Sequence, residues 1–350
     1  MTQDDRNKLI QLVKRHNHLG ISEQIDFQKF YLYSIIAHST AIEGSTVTEF
    51  EAQLLFDEGI GANKPMIEQL MNLDLKAAYE YGAKWIKQHA PITVEWLITL
   101  ASKVMARTGG EYNSMAGSFS AARGDLRKLN VSAGLGGPSY LSYQKVPSRL
   151  AAFCEELNKR RMMIDPADIG AVYDLSFWAH YELVTIHPWA DGNGRTARLL
   201  MNLLQMEHEL LPVKVLKEDK AEYIRSLADS RHKDDVNIFL DCMTRLHIKH
   251  LRHDIDLYLK STEEEMVDKT ELKGEILRKW SIKPSLADKL ADILLFMADK
   301  EDITTEALIR HFGFAPTTAK RYLRQLTEFG YLEPQGANKN RTYRKINISH

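Results

Sequence analysis

Hydrophobic positions recur at helical spacing along most of the chain, which predicts a mainly α-helical protein. The clearest stripe begins after Asp26 and ends near Gly44, a residue that often terminates helices. Thr48, with Glu51 three residues later, is typical of a capping box that opens a helix over 49–57. Further helices are expected over 1–19, 65–89, 93–107, 147–161, 166–184, 218–232 and 234–262, and directly after a Gly-Asn-Gly turn at 192–194.

The stretch 109–147 interrupts this pattern. It holds seven of the nineteen glycines and few helical repeats. Loops of this length inside compact domains are usually functional or disordered. Segments 124–131 and 140–146 can pair as a short β-hairpin, and a mobile surface excursion is the alternative.

A second type of pattern begins at Pro284. It predicts helices over 285–298, 305–311 and 316–329, a short strand at 303–305, and two strands, 331–333 and 342–346, that pair around the turn 336–340. Helix, turn and helix followed by a β-ribbon is the order of a winged helix.

Composition narrows the class of protein without naming a function. The 350 residues are 44% hydrophobic and 27% charged, values of an ordinary globular chain, and the net charge of −1 does not favour general nucleic-acid binding. The charge is uneven, because residues 301–350 carry eight Lys or Arg against five Asp or Glu. Cys154 and Cys242 lack the spacing of a metal site and are too few for a disulfide framework. We find neither a secretion signal nor an uncharged apolar run of about 18 residues, so we expect a cytoplasmic protein with no membrane partner.

Candidate chemistry concentrates at residues 187–198, His-Pro-Trp-Ala-Asp-Gly-Asn-Gly-Arg-Thr-Ala-Arg. Gly192 and Gly194 allow positive φ angles, and a glycine turn that feeds a helix N-terminus is a suitable anion site. Arg195 and Arg198 lie on one helical face, where they can clamp phosphate oxygens; exposed, ion-paired arginines are the alternative.

The same stretch holds an acid and a base. Asp191 can bind Mg²⁺, which usually needs one or two carboxylates plus substrate phosphates. His187 can act as a base beside those phosphates. The residues together predict a nucleotide-phosphate site with a base at its edge.

Residues 187–198 resemble the signature of the Fic family, His-Pro-Phe-x-Asp/Glu-Gly-Asn-Gly-Arg-x-x-Arg, at every fixed position except Trp189. The resemblance extends over about 115–262, and the preceding helices are similar to those found ahead of Fic cores. It implies an all-α core with a short β-hairpin flap. We therefore expect an N-terminal helical region with an inhibitory helix (1–112), a Fic catalytic core (113–265) and a winged-helix domain (275–350).

The resemblance implies transfer of AMP from ATP to a Ser, Thr or Tyr hydroxyl of a protein target, possibly the chain itself, with release of pyrophosphate. His187 would deprotonate the hydroxyl and Asp191 would hold Mg²⁺. The backbone N–H groups of Gly192, Asn193 and Gly194, with the side chain of Asn193, would form an anion hole. Arg195 and Arg198 would clamp the phosphates. Tyr223 would contact the adenine.

Ser39-x-x-x-Glu43-Gly44 matches the inhibitory motif of the same family, [Ser/Thr]-x-x-x-Glu-[Gly/Asn]. From the residues alone, Glu43 can equally be a solvated carboxylate at the end of a helix. The resemblance implies instead that Glu43 pairs with Arg198 in the same chain and blocks the γ-phosphate position.

The flap leaves the target undetermined. Segment 126–147 resembles the flap that binds a target segment as an added strand. The family usually has Pro-Pro after the second flap strand, where this chain has Tyr143-Gln144-Lys145, and the loop at 134–137 is enlarged.

Two other functions remain open. The winged helix carries cations that suit DNA (Lys320, Arg321, Arg324, Lys339, Arg341, Arg344 and Lys345), so the chain can be a DNA-binding regulator whose Fic core senses nucleotide or modifies itself. Winged helices also serve as protein-binding or dimer modules, and helix 234–262 offers a possible homodimer face. The second alternative is an enzyme that removes AMP from a modified protein, with Glu43 orienting a water.

Overall fold

The computed structural model describes residues 2–134, 137–297, 300, 302–336 and 341–346, with the side chains of 263–267 left aside. The chain divides into two compact units, Met1–Ile255 and Asp256–His350. The α-helices are α1 (Gln3–His18), α2 (Phe27–Ile42), α3 (Glu49–Asp57), α4 (Met66–Ile86), α5 (Val94–Val104), α6 (Val146–Met163), α7 (Ile169–Ile186), α8 (Asn193–Met206), α9 (Lys220–Lys233), α10 (Asn237–Lys279), α11 (Pro284–Phe296), α12 (Thr305–Phe312) and α13 (Pro316–Glu328). The strands are β1 (Glu111–Ser114), β2 (Gly117–Ser120), β3 (Asp302–Thr304), β4 (Leu332–Gln335) and β5 (Thr342–Lys345).

The first unit is organised around α7 and α8, which pack against each other at its centre. α7 is apolar on nearly every side, as expected of a buried helix. α8 is buried along most of its length as well, although its buried residues include polar ones such as Arg195 and Arg198. α4 approaches α8 closely at Gly82, where an added Cβ would lie 2.4 Å from Cδ1 of Leu203. The buried α7–α8 pair gives the turn between these helices a rigid support.

α2 is fixed at its C-terminal end, where Glu43 follows. Oγ1 of Thr40 donates to Oδ1 of Asn72 at 3.1 Å, and Nδ2 of Asn72 donates to Oγ of Ser45 at 3.4 Å. Gly44 has φ 107, a left-handed value that favours glycine. α4, which carries Asn72, therefore holds the end of α2 in place. The capping box predicted for α3 is present, since Thr48 and Glu51 bond to each other's backbone N–H groups.

The predicted β-hairpin is in a different place. The paired strands are β1 and β2, joined through a turn at 115–116, and they precede the segment we expected to pair. Within the described part of 124–146, pairing is limited to one bridge between Ser132 and Ser139. The segment 143–145 is a short 3₁₀ turn that leads into α6.

The charged stretch after 262 can by its sequence either continue the preceding helix or act as a hinge, and in the structure it continues the helix, since α10 runs to Lys279. One other helix boundary differs from the sequence prediction. α7 begins at Ile169 and not near Pro166, because the side chain of Asp168 caps the helix by accepting a hydrogen bond from the N–H of Ala171.

The second unit has the predicted order of a winged helix. β3, β5 and β4 form an antiparallel sheet in that spatial order, and α11, α12 and α13 pack on it around one apolar core. Much of the wing turn, with Lys339, lies outside the described residues. Arg344 is not a free wing cation, since its Nε donates to Oδ1 of Asp302 at 3.0 Å. No helix of the described residues has the length and hydropathy of a membrane span.

Candidate active site

The candidate site is built on the turn between α7 and α8. His187 follows α7 in a left-handed conformation (φ 53), and its N–H still donates to O of Leu183 at 3.1 Å. Gly192 (φ 79) precedes α8. The first N–H groups of a helix have no intrahelical acceptor, so the start of α8 offers a set of donors for an anion.

Trp189 joins this turn to the preceding loop. The side chain is 1% exposed, and Nε1 donates to O of Gly124 at 3.0 Å. A phenylalanine at this position has no N–H for that carbonyl, so the departure from the family pattern adds a hydrogen bond.

Asn193 uses its side-chain amide to brace the same turn. Its Oδ1 accepts from N of Trp189 at 3.1 Å, and its Nδ2 donates to O of Trp189 at 2.9 Å. One N–H of this amide is thus engaged within the turn, and Nδ2 carries a second. The role of the amide as an anion donor stays a prediction.

The imidazole of His187 is held as a neutral base. Nδ1 lies 3.3 Å from O of Val184, a contact that requires a proton on Nδ1 and leaves the lone pair on Nε2. Burial, helped by the nearby cations of Arg127 and Arg231, lowers the pKa of His187 to about 4. The ring is therefore unprotonated at neutral pH.

Arg198 is 3% exposed, and its guanidinium reaches three residues. Nε donates to Oγ of Ser39 at 2.9 Å, and Nη2 donates to O of Ser39 at 2.9 Å. Nη2 also donates to Oε1 of Glu43 at 2.6 Å, and Nη1 donates to the hydroxyl of Tyr223 at 3.4 Å. The structure thus brings together Ser39 and Glu43 from the end of α2 with Arg198 from α8.

The carboxylate of Glu43 lies at the start of α8. An added Cβ at Gly194 would lie 2.6 Å from Oε1 of Glu43 and 3.0 Å from Nη1 of Arg198. Burial alone raises the pKa of Glu43, but the charges of Arg198 and Arg195 outweigh burial and lower it below its ordinary value. Glu43 is therefore ionised and is itself an anion beside the helix N-terminus.

Arg195 is 3% exposed and has unused donors. Its Nη2 contacts Sδ of Met105 at 3.0 Å and lies 3.6 Å from Oδ1 of Asp191. Its Nε and Nη1 are buried without a hydrogen-bond partner among the described residues. Buried N–H groups are normally paired, so these two donors point to a ligand.

Asp191 is the acidic residue of the turn. Its side chain is 54% exposed, and Oδ1 accepts from N of Gly192 at 2.6 Å. Among the described residues, no three His, Cys, Asp or Glu side chains gather as an all-protein metal site. One accessible carboxylate beside an anion site nevertheless fits Mg²⁺, which takes its other ligands from phosphates and water.

Tyr223 lies on α9 and is 1% exposed. Its hydroxyl is 2.9 Å from Nε2 of His180 as well as 3.4 Å from Nη1 of Arg198. This arrangement puts the tyrosine against the arginine. The adenine contact stays a prediction.

Sequence reasoning missed Arg127, a 2% exposed side chain that contacts the catalytic turn. Nε donates to O of His187 at 2.7 Å, Nη1 donates to O of Leu129 at 2.8 Å, and Nη2 donates to O of Leu141. All three acceptors are backbone carbonyls, which carry no side-chain signal in a sequence. The cation thus ties both arms of the loop at 126–146 to the base.

Comparison with known proteins places these features in a family. Residues 91–205 match the Fic/DOC family model, and residues 286–336 match the IclR helix-turn-helix domain model. The chain is 28% identical over 204 residues to protein adenylyltransferase fic-1 of Caenorhabditis briggsae, which covers 57% of this chain and 36% of that protein. It is 25% identical over 310 residues to protein adenylyltransferase Fic of Drosophila virilis, and the match covers 83% of this chain and 57% of that protein. The chain thus spans between about a third and somewhat over half of these relatives' lengths.

Solved structures share the fold. Fic-1 from C. elegans superposes with a TM-score of 0.60 at 24% identity, over 74% of this chain and 73% of that one. A Fic family protein from Desulfovibrio desulfuricans G20 superposes with a TM-score of 0.64 at 19% identity, over 100% of this chain and 98% of that one. Residues 91–205 therefore match the Fic/DOC family, the curated Fic relatives are similar over a longer part of the chain, and the solved structures share its mainly α-helical fold.

Proposed function

We propose that this protein transfers AMP from ATP to a hydroxyl group of a protein side chain and releases pyrophosphate. The observation that carries the proposal is the pair of buried arginines at the start of α8. Arg195 has two unpaired buried donors, and Arg198 meets an anion supplied by the chain itself. A neutral imidazole lies at the same turn. The adenylyltransferase activity of the curated relatives agrees with this chemistry.

The reaction follows from the positions of these groups. Nε2 of His187 accepts the proton of the attacking hydroxyl, whose oxygen forms a bond to the α-phosphorus of ATP. The bond from that phosphorus to the bridging oxygen breaks, and pyrophosphate leaves with the electron pair. Arg195, Arg198 and the N–H groups at the start of α8 bind the phosphate oxygens. Asp191 would hold Mg²⁺, which neutralises phosphate charge when it is bound.

We further propose that Glu43 inhibits this reaction in the same chain. Its carboxylate pairs with Arg198 and lies against Gly194, at the place where a helix N-terminus binds an anion. A triphosphate and the carboxylate compete for the same donors. ATP then lacks the Arg198 contact that would align its terminal phosphate.

Labelled ATP tests the transfer. The full chain is incubated with Mg²⁺ and either α-³²P-ATP or γ-³²P-ATP, together with a cell lysate, and protein-bound label is measured. Beyond the label that the lysate incorporates without the chain, we expect label only from the α-phosphate, in the lysate proteins or in the chain itself, and we expect His187→Ala to lose it by a factor of about 10²–10⁴. The Glu43→Gly variant is assayed in parallel because the wild type is expected to be slow.

Three outcomes contradict the proposal. Label from the γ-phosphate would indicate phosphoryl transfer. Incorporation that survives His187→Ala would remove the base from the mechanism. Release of AMP from modified proteins by the wild type, but not by Glu43→Gly, would support the removal reaction.

A second function is favoured by the surface of α13. Lys320, Arg321 and Arg324 are exposed on this helix, within the segment that matches the IclR helix-turn-helix domain. We propose that α13 binds DNA through these cations, with phosphate contacts that weaken as salt rises.

Salt-dependent DNA binding by the full chain tests this second proposal. For the double variant Lys320→Ala and Arg321→Ala, we expect weaker binding and a salt slope lower by about one for each phosphate that the variant no longer binds. Lys14→Ala with Lys159→Ala is the control, because it removes the same charge from exposed positions of the first unit. An equal loss of affinity in both double variants would mean that net charge, and not α13, governs binding.

A further inference from the structure

The ring of Tyr140 lies on the ring of His187. The two ring centroids are 3.9 Å apart and the planes differ by 17°. Tyr140 belongs to the loop between β2 and α6, far from the signature in sequence. Neither the turn chemistry nor the Glu43 contact uses this side chain.

The backbone around Tyr140 is held on both sides. N of Tyr140 donates to O of Val131 at 3.0 Å. The next carbonyl, that of Leu141, accepts from Arg127, and the same guanidinium donates to O of His187 at 2.7 Å. One buried cation thus fixes the tyrosine's backbone relative to the base. The stacking of Tyr140 on His187 is therefore supported by the backbone of the loop as well as by the side chain.

A second cation faces the tyrosine from another helix. The guanidinium carbon of Arg231, on α9, lies 5.1 Å from the centre of the Tyr140 ring. Such a contact is attractive and grows stronger when the groups are shielded from water. Tyr140 is therefore positioned by two elements besides its own loop.

The imidazole needs a second restraint. Among the described residues, the imidazole makes one hydrogen bond, from Nδ1 to O of Val184; it is long at 3.3 Å and does not by itself fix the plane of the ring. A parallel aromatic neighbour restricts rotation of that plane and excludes water from one face.

We propose that Tyr140 is a positioning residue for His187 in the adenylyl transfer proposed above. Its ring fixes the plane of the imidazole, directs the Nε2 lone pair, and keeps water off one face. The effect on catalysis rests on the proposed function, whereas the restraint of the imidazole by Tyr140 is a property of the folded protein.

Protonation of His187 reports this restraint without any turnover. The charged groups that act on the imidazole are Arg127 from the loop at 126–146, Arg231 from α9 and Asp191 from the turn, and burial is the largest influence. When the Tyr140 ring is removed, water reaches the imidazole and burial penalises its charge less. The pKa of His187 then rises from about 4 toward 6.5.

The first experiment follows the histidine ring protons of the full chain by NMR as pH is lowered. The chain has 13 histidines, and the His187 signal is identified by its loss in His187→Ala. We expect Tyr140→Ala and Tyr140→Leu to raise the His187 midpoint by about one pH unit or more. Tyr140→Phe should retain the wild-type midpoint. Tyr143→Ala is the control, since Tyr143 lies in the same segment and stacks on no histidine within the described residues.

The second experiment measures AMP incorporation against pH, with each variant combined with Glu43→Gly. Tyr140→Leu and Tyr140→Ala should lower kcat at least about tenfold, with the acidic limb moved to higher pH, and Tyr140→Phe should restore both. An unchanged His187 midpoint in both the Ala and Leu variants overturns the proposal. Faster incorporation with an unchanged acidic limb also overturns it, because Tyr140 would then be an obstacle to the target.

The two experiments separate the two proposals. If Glu43→Gly with Tyr140 intact incorporates no AMP, the proposed function fails, and the NMR midpoint still decides whether Tyr140 restrains His187. The Leu variant retains bulk in the loop and serves where the Ala variant does not fold.

Discussion

Glu43→Gly should raise AMP incorporation by about tenfold or more, within the range of 5- to 150-fold that a coupling free energy of about 1–3 kcal/mol gives. The variant removes the carboxylate that lies 2.6 Å from Nη2 of Arg198, and the arginine becomes available to a triphosphate. Initial rates with α-³²P-ATP measure the effect.

The same change alters stability in a diagnostic way. Arg198 keeps its hydrogen bonds to Ser39 but loses its carboxylate partner. The Glu43 side chain is 35% exposed, so the substitution should cost only about 1 kcal/mol and lower the melting temperature by roughly 2–4 °C. Added Mg-ATP should stabilise Glu43→Gly more than the wild type, because only in the variant is Arg198 without a competing carboxylate.

Glu43→Gln is the matched control for charge. The amide retains the size and one hydrogen-bond acceptor but attracts Arg198 less, so we expect a rate between those of wild type and Glu43→Gly. Equal rates in all three proteins, or equal stabilisation by ATP, would mean that Glu43 does not compete with the nucleotide.

Acidification should lower the free energy of unfolding of the first unit before its carboxylates titrate. Burial lowers the pKa of His180 to about 3 and that of His187 to about 4. Burial also lowers the pKa values of His16, His247 and His250. The unfolded chain binds these protons below about pH 6.5, whereas the folded chain does not until near the lowered values. Stability is therefore greatest above pH 6.5 and falls as pH decreases toward 4.

The pKa values of His180 and His187 give the size of this loss of stability. Between pH 7 and 5, each should reduce the free energy of unfolding by about 2 kcal/mol, which is a large share of a typical total. Urea unfolding of the full chain at the two pH values measures it. His180→Gln should reduce the dependence on pH.

The control for this experiment is His253→Gln. The ring of His253 is solvent-exposed, so removing it should leave the pH dependence unchanged. A free energy of unfolding that does not change between pH 7 and 5 would mean that the buried rings are solvated in solution.

Local patterns predicted most of the helices and the winged helix. The capping box at Thr48 and the helix-terminating Gly44 depend only on residues within about one turn of the chain, so both can be predicted from the sequence. The candidate site at residues 187–198 could be predicted for the same reason, since His187, the glycine turn and both arginines lie within twelve positions. The hairpin was misplaced because strand pairing depends on partners and on turn geometry, and the amino-acid types alone did not distinguish 111–120 from 124–146.

The sequence by itself determined the helical architecture, the glycine turn that leads into α8 and the resemblance to the Fic family, because each depends on neighbouring residues along the chain. Only the tertiary structure decided what surrounds that turn. Arg127 reaches backbone carbonyls, Tyr140 covers His187 from a separate loop, and the side chain of Asn193 braces the turn. Such contacts join distant segments through backbone atoms and ring faces, and neither leaves a periodic pattern in the sequence.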